Sequence, residues 1–394
     1  MEQTEQYHHY IPRFLLRNFA IDNYERIFES NINQQKKKSQ RKVELIQTYV
    51  REEDQLRVSF ISKTYGRTNM YKDINNEDAM HVEAKLSKLE RSVSETIRNI
   101  VKTSQMENQV VLLRKDLEDL RKFIFIMNYR NSQRYFQYAN DKFDIPTKLM
   151  VTTFMQQHNL QRPAEAGEND EFIITSNGFG IFEGVNGMVF GKFPFQYAYH
   201  SFYVISPKLV LVLCPSGFRK EVGTDHLYNH FGHRSIFDNV PHPSATPKYV
   251  GTGNKPYNEH NRPKYNGSDL FELRAHLFKM NLNSMGIEMQ PNDTFTFPFV
   301  KINSVTVHLI NSVLLNEVNS DLVLTFLSCS YLYKTIVKYH KNKIVGVQHD
   351  FSNLKKKLFT ELNRTHKDDL HLRKNIAVDW IYSWNVREMN KNPD

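Results

Sequence analysis

Between Val204 and Leu213 the chain reads Val-Ile-Ser-Pro-Lys-Leu-Val-Leu-Val-Leu, its most apolar run, broken early by Ser206-Pro207. Such a run reads as a buried central strand, so the rest of the chain has to cover a sheet. Helical stripes able to do so stand upstream. Leu86, Leu89, Val93, Ile97 and Ile100 repeat at three and four residues behind Asn75 or Asn76 as N-cap, with Glu77 and Asp78 in the first turn. A second stripe, Val110, Leu113, Leu117, Leu120, Ile124 and Met127, predicts a longer helix from Gln109 to Asn140, with Pro146 beyond its end. The two are expected to pack as an antiparallel hairpin.

Other segments have strand character: Arg26–Glu29, Val43–Val50, Leu56–Ser62, and Phe172–Asn177 running into a Gly-rich turn at Gly178 and Gly180. Residues 215–270 hold many of the prolines and glycines and read as an irregular insertion. Helical periodicity returns over Val305–Leu315 and Leu322–Tyr339, and the tail from Phe351 places Trp380 and Trp384 four apart, as on one helix face. The fold class that follows is α+β: a mixed sheet, a long helical hairpin packed against it, and a helical C-terminal tail.

A chain of 394 residues with 40% hydrophobic and 12% aromatic residues has ample material for a core. Its two cysteines, Cys214 and Cys329, both lie in apolar runs, which excludes a disulfide framework or a cysteine zinc site and suggests a reducing, cytoplasmic setting. No run approaches the roughly 18 uninterrupted apolar residues of a membrane helix, so no membrane partner is expected. The net charge of +9 points to polyanions, nucleic acid first. Part of it sits in Lys36-Lys37-Lys38-Ser39-Gln40-Arg41-Lys42, which reads as a solvated hairpin loop or as a nuclear-import or nucleic-acid contact.

The N-terminal segment Tyr7-His8-His9-Tyr10-Ile11-Pro12-Arg13-Phe14-Leu15-Leu16-Arg17-Asn18-Phe19 is too apolar to hang free and must dock on the core. Consecutive residues of a strand face opposite ways, so at most one of His8 and His9 can enter a shared site. One reading makes that histidine a general acid or base beside an anion held by Arg13 or Arg17, with Arg130 and Arg134, a helical turn apart, completing a phosphodiester site. The other makes the segment a structural clasp whose histidines bond backbone carbonyls. For metal, His226 and His230 stand at i and i+4 with His233 beyond, a zinc-compatible spacing, and a divalent ion is the cofactor they would take. The Glu of a metalloprotease is missing, since Leu227 follows His226. No phosphate-binding loop or Gly-x-Ser-x-Gly elbow occurs, and Cys214 reads as core.

The opening residues, His8 to Phe19, resemble the signature start of an uncharacterised bacterial and fungal family whose members begin His-His-Tyr-(Val or Ile)-Pro. Asn69-Met70-Tyr71, Glu83, Leu89-Glu90, Phe125 to Asn131, Phe172 to Asn177, Ile205 to Leu213, Asp293-Thr294-Phe295 and Ile310-Asn311 look like its later blocks. The resemblance implies one α+β unit over 1–340, divided into 1–65, 74–141, 171–215, 216–270 and 271–340, followed by a helical extension over 341–394. It also implies that Ser176 and Asn177 meet the N-terminal segment and join its anion site. Where the family commonly carries Ser-Asp-Asn-Pro this chain has Ser176-Asn177-Gly178, with no carboxylate. The family brings no assigned activity; some bacterial members resemble phage-defence factors. The expected function is accordingly nuclease-like or defence-related, with a non-catalytic interaction module as the alternative.

Overall fold

A computed structural model describes residues 5–21, 44–71, 80–127, 130, 158–167, 170–188, 194–215, 245–251, 287–318 and 322–365. The apolar run is a hairpin rather than one strand: β9 (Pro194–Ser206) and β10 (Leu209–Pro215) pair antiparallel about Pro207-Lys208. Pro207 has no N–H for a ladder, so the chain reverses where the run is broken. β10 is the middle strand of a five-stranded sheet ordered β13 (Val300–Ile302), β6 (His158–Ala166), β10, β9, β8 (Gly180–Met188). Val204, Ile205 and Leu209 to Leu213 are buried, as the central position requires.

A second sheet is ordered β3 (Gln55–Phe60), β2 (Leu45–Val50), β14 (Val323–Phe326), β7 (Ile174–Thr175), and β2 is buried along its whole length. A third is ordered β11 (Thr246–Lys248), β12 (Thr294–Pro298), β5 (Gln109–Leu113). The smallest pairs β1 (Tyr7–His9) with β4 (Gly66–Thr68).

Two expected helices are shorter because their first turns are strands. Gln109–Leu113 is β5, with Val110 and Leu112 buried and Val111 exposed, a period of two that the longer helical stripe concealed. Helix α3 (Arg114–Met127) starts only after it and packs back on α2 (His81–Ser104), where Ser92 Oγ donates to Asp119 Oδ2 at 2.7 Å. Likewise Val323–Phe326 is β14, bonded on both sides by β2 and β7, and the helix begins later as α5 (Cys329–His340). The expected strand at Phe172–Asn177 is the two-residue β7. Helix α4 (Ser304–Asn316) is capped by Asn303, whose side chain accepts from Thr306 N at 2.9 Å, and it is buried on nearly every face. Helix α6 (Ser352–Thr365) packs on α5. One continuous core joins the N-terminal segment, the hairpin and α2 to α6. The mixed α+β architecture is thus observed.

The expected strand at Arg26–Glu29, the Lys36–Lys42 cluster, the N-cap at Asn75 or Asn76, Arg134, the histidines at 226, 230 and 233, and the Trp380–Trp384 pair lie outside the described residues. Among the described residues no helix is long and apolar enough to cross a membrane.

Candidate functional site

The N-terminal segment is docked by its own backbone. β1 pairs antiparallel with β4 in the register Tyr7 to Thr68, His8 to Arg67 and His9 to Gly66. Position 66 has to be glycine, since a Cβ there would fall 2.4 Å from Tyr7 Cε1 and 2.5 Å from the His8 carbonyl oxygen. Tyr10 N and Ile11 N then both donate to the Tyr65 carbonyl, at 2.8 and 3.4 Å. Tyr65 reaches that position with φ +59°, a left-handed conformation costly for an aromatic residue. Burial of its ring and a 2.8 Å bond from its hydroxyl to Thr325 Oγ1 on β14 hold it there. Pro12 ends the extended stretch and caps the one-turn helix α1 (Arg13–Leu16), driving Ile11, Leu16 and Phe19 into the core.

The two histidines face opposite ways, as a strand dictates. His9 Nε2 donates to the Ile61 carbonyl at 3.0 Å. His8 is buried: its Nδ1 accepts from Tyr71 N at 3.4 Å, its ring lies 5.4 Å from the Tyr71 ring, and its buried Nε2 has no hydrogen-bond partner among the described residues. Burial is the main reason both titrate below the ordinary histidine range. For His8, Glu83 opposes that shift and Arg130 adds to it; for His9, Arg13 and Arg130 add while the Ile61 bond and Glu83 oppose. Both imidazoles are therefore neutral at pH 7.

Arg130, 5% exposed, is the centre of the arrangement. Its Nε donates to the Tyr71 hydroxyl at 2.8 Å, Nη1 to Glu90 Oε1 at 2.5 Å and Nη2 to the His9 carbonyl at 2.6 Å. Its guanidinium carbon stands 5.2 Å from the Tyr71 ring centroid. Burial disfavours its charge, but Tyr71 and Glu90 outweigh burial and keep it ionised. One side chain thus ties β1, Tyr71 and α2 to the end of α3.

Arg13 and Arg17 share none of the Arg130 acceptors. Both are half-exposed and bond Glu44, at 3.3 and 2.7 Å. Ser176 and Asn177 are buried in a turn in which Gly178 N donates to the Thr175 carbonyl at 2.9 Å, and the Asn177 amide donates to the Glu317 carbonyl. Gly178, at φ +73°, leaves so little room that a Cβ would lie 2.7 Å from Ile11 Cδ1 and 3.2 Å from Met127 Cε. The turn does meet the N-terminal segment and the end of α3, through aliphatic contact rather than around a shared polar space.

Sequence reasoning assigned no role to Tyr65, Tyr71, Glu44 or Glu90. Tyr71 and Glu90 stand in the quoted block after Asn69; Tyr65 carries no local signal, because its conformation follows from tertiary packing. A second buried polar cluster was also missed. His308 on α4 lies with Nδ1 3.1 Å from Thr335 Oγ1 and Nε2 3.4 Å from Asp170 Oδ1, while Asn311 donates to Thr335 Oγ1 and to the Glu171 carbonyl, at 3.2 and 2.8 Å. Thr335 is 1% exposed, so this hydroxyl–imidazole–carboxylate line is closed off from solvent at its hydroxyl end. Burial pushes the Cys329 thiol up to about 12. Among the described residues, no group of three or more His, Cys, Asp or Glu could hold a metal ion.

The block that runs from β1 to the turn before Gly178 is also where a family model matches. Residues 7–176 match the model of a family described as Protein of unknown function (DUF4238). The DUF4238 match starts at β1 and ends on Ser176, so it takes in the docked segment, Tyr65, Tyr71, Glu90, Arg130 and most of the turn. No curated protein and no solved structure matches the chain.

Proposed function

We propose that this protein is a non-catalytic interaction module in which the DUF4238 segment is a structural clasp, its N-terminal His-His-Tyr-Ile-Pro strand locked by Arg130. What carries the reading is the use of the Arg130 guanidinium: each of its three nitrogens donates to an internal acceptor, on Tyr71, Glu90 and His9, at 5% exposure. Three of its five N–H groups are thereby spent on internal acceptors. Arg13 and Arg17 are likewise engaged by Glu44, and His9 by a carbonyl. The nuclease-like reading retains one observation in its favour, the buried His8 Nε2 with no partner among the described residues. A setting inside the cell, and import through Lys36–Lys42, belong to the same proposal.

The test sets stability against chemistry. Arg130→Lys should lower the stability by about 3–5 kcal/mol, because it leaves Glu90 and the His9 carbonyl under-bonded in the interior. His9→Ala should lower the melting temperature without changing any partner affinity of the folded fraction. Wild-type protein incubated with RNA and DNA, with and without divalent ions, should leave both intact. Cleavage by the wild type that disappears in folded His9→Ala or His8→Ala would overturn the clasp and restore the enzyme.

A further inference from the structure

The turn that follows α5 presents aliphatic side chains to water on a rigid frame. Ile344 is 63% exposed and Val347 47%, whereas Val345 between them packs on the core. The backbone around them is bonded at nearly every step. Asn342 Oδ1 accepts from Ile344 N and Val345 N at 2.8 and 3.1 Å. Asn316 Nδ2 donates to the carbonyls of Val345 and Gly346 at 3.2 and 3.3 Å. The buried Tyr339 hydroxyl donates to Asn316 Oδ1 at 2.6 Å and accepts from Gln348 N and His349 N at 3.1 and 3.0 Å. Gly346 makes the corner at φ +78°. A turn held this firmly does not fold its aliphatic side chains away, so they stand preorganised for a contact.

The charge around the turn identifies the contact. From Cys329 to His349 the chain has no Asp or Glu, and it carries Lys334, Lys338, Lys341 and Lys343. All four are exposed, and Lys334 and Lys338 sit one helical turn apart on α5. Both act on His308 beneath them, lowering its affinity for a proton. The Lys334 ammonium lies 5.2 Å from the Tyr331 ring centroid, whereas Lys208, 5.3 Å from the same ring, spends its ammonium on the Gly167 and Asp170 carbonyls at 3.3 and 2.6 Å and does not add to the face. The first acid, Asp350, accepts from Ser352 N at 2.9 Å at the start of α6, and its Oδ1 lies 3.9 Å from His340 Nε2.

We infer that this face, the Ile344–Val347 turn with the lysines of α5, docks peripherally on an anionic lipid surface. Aliphatic residues flanked by lysines match such a surface: the apolar tips enter the interface and each ammonium meets headgroup phosphate or carboxylate. A nucleic acid would use the lysines and leave Ile344 and Val347 without a partner. A protein interface concentrates Arg, Tyr and Trp and is depleted of Lys, the reverse of this turn. A second copy of the chain would bring the same positive face against itself. The docking face is independent of the clasp, which lies in the N-terminal block.

Sedimentation of the full chain with phosphatidylcholine vesicles, with and without phosphatidylserine, tests the inference. The chain should pellet with the anionic vesicles, remain in solution with the neutral ones, and come off as salt is raised. Ile344→Ser with Val347→Ser should reduce the bound fraction severalfold, and Lys341→Glu with Lys343→Glu by about tenfold or more. All four sites are exposed, so melting temperatures should stay at the wild-type value and separate lost docking from lost folding. Failure to pellet with anionic vesicles at low salt overturns the inference, as does binding that the serine variants leave unchanged. A concentration-dependent dimer abolished by the serine variants would assign the face to a second copy instead. Neither result bears on the clasp, which answers to nucleic-acid cleavage and to Arg130.

Discussion

Asn177 shows how much a single atom decides. The resemblance leads one to expect an acid after Ser176, and such an acid invites a role as metal ligand or base. In the structure the Asn177 amide donates to the Glu317 carbonyl in a buried turn, which a carboxylate cannot do. Asn177→Asp should therefore cost about 1–3 kcal/mol at neutral pH, and less in acid where the new carboxyl is protonated. Urea titrations at the two pH values measure both parts; equal stability of variant and wild type at neutral pH would remove the bond from the account. The alternation of His8 and His9 and the docking of Ile11, Leu16 and Phe19 were legible, because a strand period and an apolar stripe are local properties. The division of Arg13 and Arg17 from Arg130 between different carboxylates was not. It depends on Glu44, 27 and 31 residues from its two partners, and on Glu90, 40 residues from Arg130.

At the scale of elements, what misled the sequence reading was a helical period running straight through a strand. Val110, Leu113 and Leu117 fit one helix face, yet Gln109–Leu113 is β5 because β12 offers it a ladder from Thr294 to Pro298. Asp293 fixes that pairing. Fully buried, it accepts from Arg114 Nη2 and Nε at 2.8 and 3.0 Å, from Gln290 N at 2.9 Å and from Val250 N at 2.9 Å. Burial alone would raise its carboxyl, but these donors together hold it below the ordinary range. One residue thereby anchors the strand–helix junction at Arg114, the turn before β12 and the segment after β11 at Val250. Asp293→Ala should destabilise by about 3–5 kcal/mol, leaving Arg114 and two amides without their acceptor. Hydrogen exchange should speed up at the β5 and β12 amides before it does at β9 and β10; uniform loss of protection would mean that Asp293 supports the whole core rather than one sheet.

Across the whole molecule the α+β class was legible, because the apolar hairpin and the amphipathic stripes are properties of composition and period. The polar groups inside were not, since Asp170, His308 and Thr335 meet only when the β6–β7 connection, α4 and α5 are packed together. Those groups make stability depend on pH. Burial holds His308 at about 4, against an ordinary 6.5, with Lys334 and Lys338 adding to the shift and Asp170 opposing it. His8, His9 and His349 are shifted the same way, again chiefly by burial. A histidine lowered in the folded state takes up its proton in the unfolded chain first. Between pH 6.5 and about 4 the unfolded chain holds more protons, so stability is complete above that window and falls as pH descends through it. His308 alone is worth on the order of 3 kcal/mol across the window. Glu171 works against this loss, because burial raises its carboxyl and acid relieves a charge the fold disfavours. The carboxyls of Asp293 and Glu44, both held below the ordinary range, also lose stability in acid, so the net slope should have the sign of the histidines. His308→Gln keeps an acceptor for Thr335 and a donor toward Asp170 without titrating. Denaturant midpoints followed from neutral pH down to about 4 should therefore fall less steeply in that variant than in the wild type, and parallel curves would show that the proton is taken up elsewhere.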